Sequence, residues 1–153
     1  MKTILHIILS ALLILTTSCV KKVPHNQIIE AEIWDCVDSG DTIIDFEEIV
    51  SFEWDSMIIL PPYTYLDRLG DSLDFNFKPV KYSGIEYLDH FCLLIFVHNE
   101  EIISMAEVEL SIEPEIAFID RNDSKFSVGR EVNKEDMEKP FVYLKRSTTP
   151  NTR

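Results

Sequence analysis

From Phe91 to Leu110 the chain runs through two apolar stretches, residues 91–97 and 102–110, parted by the polar His98-Asn99-Glu100-Glu101. Two short strand-like runs with a polar connector fold back on one another as an antiparallel hairpin. In the second arm Val108 and Leu110 alternate with Glu107 and Glu109. One face is therefore apolar and the other wet, the pattern of an antiparallel sheet resting on a core.

Further strands join this hairpin. Residues 54–60 form a dense apolar run that stops at Pro61-Pro62, which cannot continue a ladder. Phe75 and Phe77 flank Asn76, and Val80 and Tyr82 flank Lys81, so strand-like alternation is expected there, with Ser83-Gly84 as a bulge or turn before Ile85. Residues 116–119 and 126–128 suit a second hairpin turned by Arg121-Asn122-Asp123-Ser124, and residues 141–144 a last strand.

Helices are expected to be few and short. Ile29, Ile33, Cys36 and Val37 fall on one helical face, with Asn26 placed to cap it and Gly40 to stop it; a hairpin through Asp38-Ser39-Gly40-Asp41 is the competing reading. Asp45-Phe46-Glu47-Glu48 has the spacing of a capping box and should start a brief helix near Phe46. Thr64-Tyr65-Leu66-Asp67 repeats the arrangement, giving a helix over 65–69 with Gly70 as its left-handed cap. Asn133 can cap one more turn, which Pro140 ends. Several strands with little helix predict a single small α+β domain over residues 27–146, mainly antiparallel sheet with short helices on one face. A polar tail, residues 147–153, follows it.

The first residues read differently. Met1-Lys2-Thr3 leads into an uncharged, mostly apolar run over 4–15 and then Thr16-Thr17-Ser18-Cys19, the layout of a secretory signal with a small-residue cleavage site. A spanning helix needs about 20 apolar residues to cross about 30 Å of hydrocarbon, so this run is too short to span. The small residue directly before Cys19 resembles the lipobox of bacterial lipoproteins. That resemblance implies cleavage between Ser18 and Cys19, with a diacylglyceryl group on the Cys19 thiol and acylation of the new amino terminus. The commonest lipobox has Leu three places before the cysteine, where this chain has Thr16 and carries Leu15 one place early. On this reading residues 1–18 are signal peptide, residues 19–26 a lipidated tether, and the partner of Cys19 is membrane lipid, since two or more acyl chains hold a protein stably. Val20 after the cysteine is compatible with the outer membrane or cell surface in organisms that sort on that position.

Charge narrows the range of partners. Lys and Arg number 14 against 27 Asp and Glu, a net of −13. Nucleic acid is excluded as a partner, because clustered cations supply most of that affinity; a cationic envelope protein is favoured by steering. Cys36 and Cys92 remain after the signal, and an exported location permits a disulfide between them. Cys92 also lies in an apolar run, where a thiol serves as a small buried hydrophobe.

Chemistry-bearing patterns are sparse. Asp120, Asn122, Ser124 and Glu131 take the first, third, fifth and twelfth places of a calcium loop, but Lys125 stands where its sharp turn needs Gly, so an acidic hairpin turn is expected. The run Asp35, Asp38, Asp41 and Asp45 fails similarly, with Val37 and Phe46 at ligand positions. His90 and His98 bracket one strand and stand about 26 Å apart on an extended chain, too far to share a metal. No nucleophile elbow, Cys-His pairing or glycine-rich phosphate loop occurs, so no catalytic, cofactor or metal residue is assigned. Phe52-Glu53-Trp54-Asp55 followed by Pro62-Tyr63-Thr64 is similar to a pattern of small bacterial exported proteins and lipoproteins over residues 45–110. That resemblance implies no catalytic role.

The functional expectation is a non-enzymatic, membrane-tethered binding module of the bacterial envelope. Trp54 and Phe52 read structurally as core residues, and the competing functional reading makes Trp54, Tyr63 and Tyr65 a partner-binding aromatic rim. The alternative is an envelope hydrolase or small-ligand-binding protein whose site unites scattered acids such as Asp89 and Asp120 with His90.

Overall fold

Cys92 to Val97 are all buried, although a strand sends alternate side chains to opposite faces. A strand apolar on both sides needs cover on both sides. The computed structural model, which describes residues 22–112, 115–131 and 141–147, supplies it with three layers.

In chain order the elements are α1 (Gln27–Asp38), β1 (Ile43–Asp45), α2 (Phe46–Ile49), β2 (Ser56–Leu60), α3 (Leu66–Leu73) and a 3-10 helix (Lys78–Ser83). There follow β3 (Cys92–His98), β4 (Glu101–Val108), β5 (Ser111–Ile112), β6 (Ala117–Asp120), a 3-10 turn (Arg121–Asp123), β7 (Lys125–Glu131) and β8 (Phe141–Arg146). The first sheet has the order β4-β3-β2-β6, with every pair antiparallel. The second has the order β1-β7-β8-β5, and only β5 and β8 pair in parallel. The domain is α+β, as its hairpin and caps predict, but its short helices cover both faces of the first sheet rather than one.

One face of the first sheet presents Met57, Ile59, Leu94, Phe96 and Ile119 to a core shared with α1, α2 and the second sheet. The other presents Ile58, Leu60, Leu93, Ile95 and Val97 to Leu66 of α3, to Phe77 and Val80, and to Ile85 and Phe91. Trp54, Phe46, Phe96 and Phe126 are all 1% exposed or less, and burying such a side chain contributes roughly 1.5–3 kcal/mol. A helix cap contributes about 1 kcal/mol. Caps therefore decide where a helix begins, and the core decides whether it forms.

The local signals of α1 and α2 are realised. Asn26 accepts from Ile28 N–H at 3.1 Å and Asp45 from Glu47 N–H at 3.0 Å. Gly40 follows α1 at φ +88°, where a side chain would be strained. Arg130 reaches across to donate to the Val37 carbonyl at 2.6 Å, satisfying an end group of α1.

Four readings are corrected. Helix α3 runs three residues past Gly70, and its left-handed cap is Asp74 at φ 52°. Gly70 sits inside the helix because a Cβ there would lie 2.8 Å from the Phe75 carbonyl oxygen. Thr64 does not cap α3: its hydroxyl donates to Pro61 O at 2.6 Å, and the Leu66 N–H is taken by the Glu86 carboxylate at 2.9 Å. The alternation around residues 75–82 is no strand. Phe77, Val80 and Ser83 are the buried positions, and a spacing of three is that of the 3-10 helix found there. Strands β6 and β7 form no hairpin, because the turn at Arg121–Asp123 carries the chain from one sheet to the other; Ser124 is wholly buried at that corner and its carbonyl accepts from Phe46 N–H.

Residues 22–26, expected to be linker, lie against the domain. Val23 is 6% exposed in the second core, Tyr82 donates its hydroxyl to the Val23 carbonyl, and Asn26 N–H and Pro24 O bond the main chain of Met105 at 2.7 and 3.2 Å. Edge strand β4 has backbone groups to satisfy, and this segment satisfies those of Met105. The expected cap at Asn133 falls outside the described residues, as does residue 148 onward of the expected tail. No helix of the described residues is long and apolar enough to cross a membrane.

The Cys36 to Cys92 bridge that an exported location permits is not formed: both are free thiols, and Cys92 is the small buried hydrophobe that its apolar run suggests. Cys92 is buried on β3 with its Sγ 3.8 Å from the Ile112 carbonyl oxygen, while Cys36 lies on α1 beside Asp41. Burial raises both thiols above their ordinary range, and at Cys36 the neighbouring Asp41 adds to the effect. Maleimide treatment of the folded protein without reductant should label Cys36 slowly and leave Cys92 untouched until denaturant is added. Failure of both to label after denaturation, measured by peptide mass, would restore the bridge.

The hairpin of β3 and β4 turns at Asn99-Glu100, both at positive φ, 51° and 65°, a two-residue loop of the kind that matches strand twist. Glutamate is not at home there. Asp55 holds the turn, accepting from Asn99 N–H at 2.7 Å and facing His98 Nδ1 at 3.2 Å. The Asn99 bond, aided by His98 against some desolvation, lowers the Asp55 carboxyl below its ordinary 3.8. A depressed carboxyl stabilises the fold fully above its unfolded value and loses that contribution as pH falls through the folded one. Exchange protection of the Asn99 amide should therefore hold at neutral pH and fall in acid below 3.8, whereas Asp55→Asn should show no such acid step.

Candidate functional site

Strand β2 ends at Leu60 because Pro61 and Pro62 cannot donate to a ladder. The chain then turns on Tyr63, which adopts φ +62°, an outlying conformation for a bulky residue. Two contacts hold it there: Tyr63 N–H donates to Ile85 O at 2.8 Å, and Thr64 closes the turn onto Pro61 O at 2.6 Å. The consequence is that the Tyr63 ring stands out into solvent, 55% exposed, beside Tyr65 at 57%.

These two tyrosines border an open groove of about 680 Å³. Its floor is Pro61, Pro62 and Leu69, and its far wall is Glu115 and Ile116, just before β6. The Arg68 guanidinium lies over the Tyr65 ring, 5.3 Å from its centre, a cation–π contact between the first turn of α3 and the residue just before it. Desolvation first, and then Asp89 through charge and a hydrogen bond, raises the Tyr63 phenol above its ordinary value.

Strand β6 is the outer strand of the first sheet, and among the described residues no strand pairs with its free side. Phe118 on it is 52% exposed, and Ile116 just before it 39%. An unpaired strand next to an aromatic groove offers main-chain hydrogen bonds and side-chain pockets together. Carboxylates of Glu115, Asp89 and Glu86 lie around this region, with Arg68 as the cation in the groove.

The expected aromatic rim is brought together only in part. Trp54 is 1% exposed, makes a T-shaped contact with Phe96 at 5.5 Å and has the Arg121 guanidinium over its ring at 5.8 Å, so it fills the core as the structural reading expects. Sequence reasoning missed Arg68, Glu115 and Ile116. The apolar alternation of Ile116 and Phe118 was their one available mark.

The acids of the alternative reading are not united. Asp89 and His90 meet at 4.0 Å on the surface, and Asp89 turns to Tyr63. Asp120 pairs with Ser56 at the opposite end of β6 from the groove. Among the described residues no group of three or more His, Cys, Asp or Glu side chains is placed to hold a metal ion. A second cleft, about 690 Å³ between Trp34, Arg130 and Phe141, has its guanidinium already engaged with the carbonyls of Val37 and Asp41.

No family model, curated protein or solved structure matches the chain.

Proposed function

We propose that the chain is the precursor of a bacterial envelope lipoprotein, cut before Cys19 and acylated there, whose acidic domain binds a cationic segment of another envelope protein. Removal of residues 1–18 takes away Lys2 alone among the charged side chains, leaving 13 basic against 27 acidic and a net of −14. A body so charged depends on its acyl chains for membrane residence. The module is non-enzymatic on this reading.

The observation that carries the binding role is Tyr63, an aromatic residue kept at positive φ with more than half its surface in water. Strain of order 1–3 kcal/mol persists where surrounding structure enforces it, and it clusters at binding sites. An extended partner segment can add to the free side of β6 while its Lys or Arg side chains lie over Tyr63 and beside Glu115. Acidic surroundings steer such a segment and make its capture salt-sensitive.

Two experiments test the two halves. Cys19→Ser should move the protein from the membrane fraction to the soluble fraction of a bacterial host; unchanged fractionation would sink the tether. With the tether intact, a photo-crosslinking residue at position 65 should give discrete adducts in whole envelopes. Tyr63→Ala should weaken them on the order of ten-fold, the effect of losing an aromatic hot spot of about 1–2 kcal/mol. No adduct at position 65, or adducts indifferent to Tyr63 and to salt, would sink the groove.

A further inference from the structure

We infer that the domain rests on the bilayer through the face where its chain comes in, around Lys22, Ile28 and Tyr82, with the Tyr63 groove held on the opposite edge. The inference rests on the proposed acylation of Cys19. Val23 lies four residues after that cysteine, a separation that full extension limits to about 14 Å. Val23 is not free to swing away. It is 6% exposed, its N–H bonds Pro79 O, its carbonyl accepts from Tyr82, and the next residues pair with Met105 on β4. An anchor at the bilayer surface therefore holds this face of the domain within reach of the headgroups.

The chemistry of the face suits that contact. Ile28 is 67% exposed and borders a shallow apolar cleft of about 540 Å³ with Pro24, Phe52 and Ile103. Tyr82 is 42% exposed and carries the Lys22 ammonium 5.0 Å from its ring centre. Tyrosine and lysine side chains have apolar bodies and polar tips, which places them at the membrane interface. Lys22 is a cation on this face of a chain whose net charge is −13; it is attracted to anionic headgroups, partly offset by the Glu107 carboxylate near Tyr82.

The sheet order fixes what faces away. Residues 22–26 run along β4, and the groove lies beside β6, the other edge of the same sheet. Three inter-strand spacings, about 14 Å, separate those edges. The groove is thereby presented to the aqueous side.

The test places a tryptophan at Ile28 or at Ile116 in the full chain, lets a bacterial host process it, and reconstitutes the purified protein in phosphatidylethanolamine and phosphatidylglycerol vesicles containing brominated lipid. Native Trp34 and Trp54 supply a common background, subtracted with the unsubstituted protein. Emission from position 28 should be quenched at least about two-fold more than emission from position 116, since an interfacial side chain sits about 5–10 Å into the boundary. Acylated protein that floats with vesicles but shows equal quenching, or stronger quenching at 116, would overturn the orientation and leave the tether standing. Protein of unacylated mass that does not float would overturn both.

Discussion

A strand with no wet side governs this architecture. Every side chain from Cys92 to Val97 is buried, so apolar cover is required above and below β3, and the neighbouring β2 repeats the demand from Met57 to Leu60. The second sheet with α1 meets it on one face. The 3-10 helix, α3 and the turn residues around Ile85 meet it on the other. Both centrally placed strands being satisfied, what is left over for contact with the outside lies at the sheet's two edges, β4 and β6.

Features set by residues close in sequence were legible, and those set by distant ones were not. Asn26 and Asp45 announce their helices because each cap acts two residues away. The main hairpin is readable for the same reason. By contrast, the α3 start is completed by Glu86, twenty residues on, and nothing near Leu66 reveals that. Residues 116–128 show two strands and a turn, yet which sheet each strand joins depends on Ile44 and Ile58, far upstream. Around Phe77 two periods coexist in one short string, and the period of two is the one that catches the eye. Proline at the second position of the 3-10 helix was the available correction.

The candidate site divides along the same line. Tyr63 and Tyr65 were visible as aromatics beside a proline pair, and the structure leaves them exposed. Trp54 was legible as a core residue from its place at the head of a dense apolar run, and it packs on Phe96 and Arg121. The opposite wall of the groove, Glu115 and Ile116, comes from a segment fifty residues later in the chain, brought in by the pairing of β6 with β2. A sequence without internal pairing information cannot bring those two walls together.

The way residues 24–26 lie along β4 has a mechanical consequence. They run parallel to that strand, joined to Met105 by two main-chain bonds flanking His25. Tension directed along the strand axis would load both bonds at once in shear, with the buried Val23 as a plug behind them.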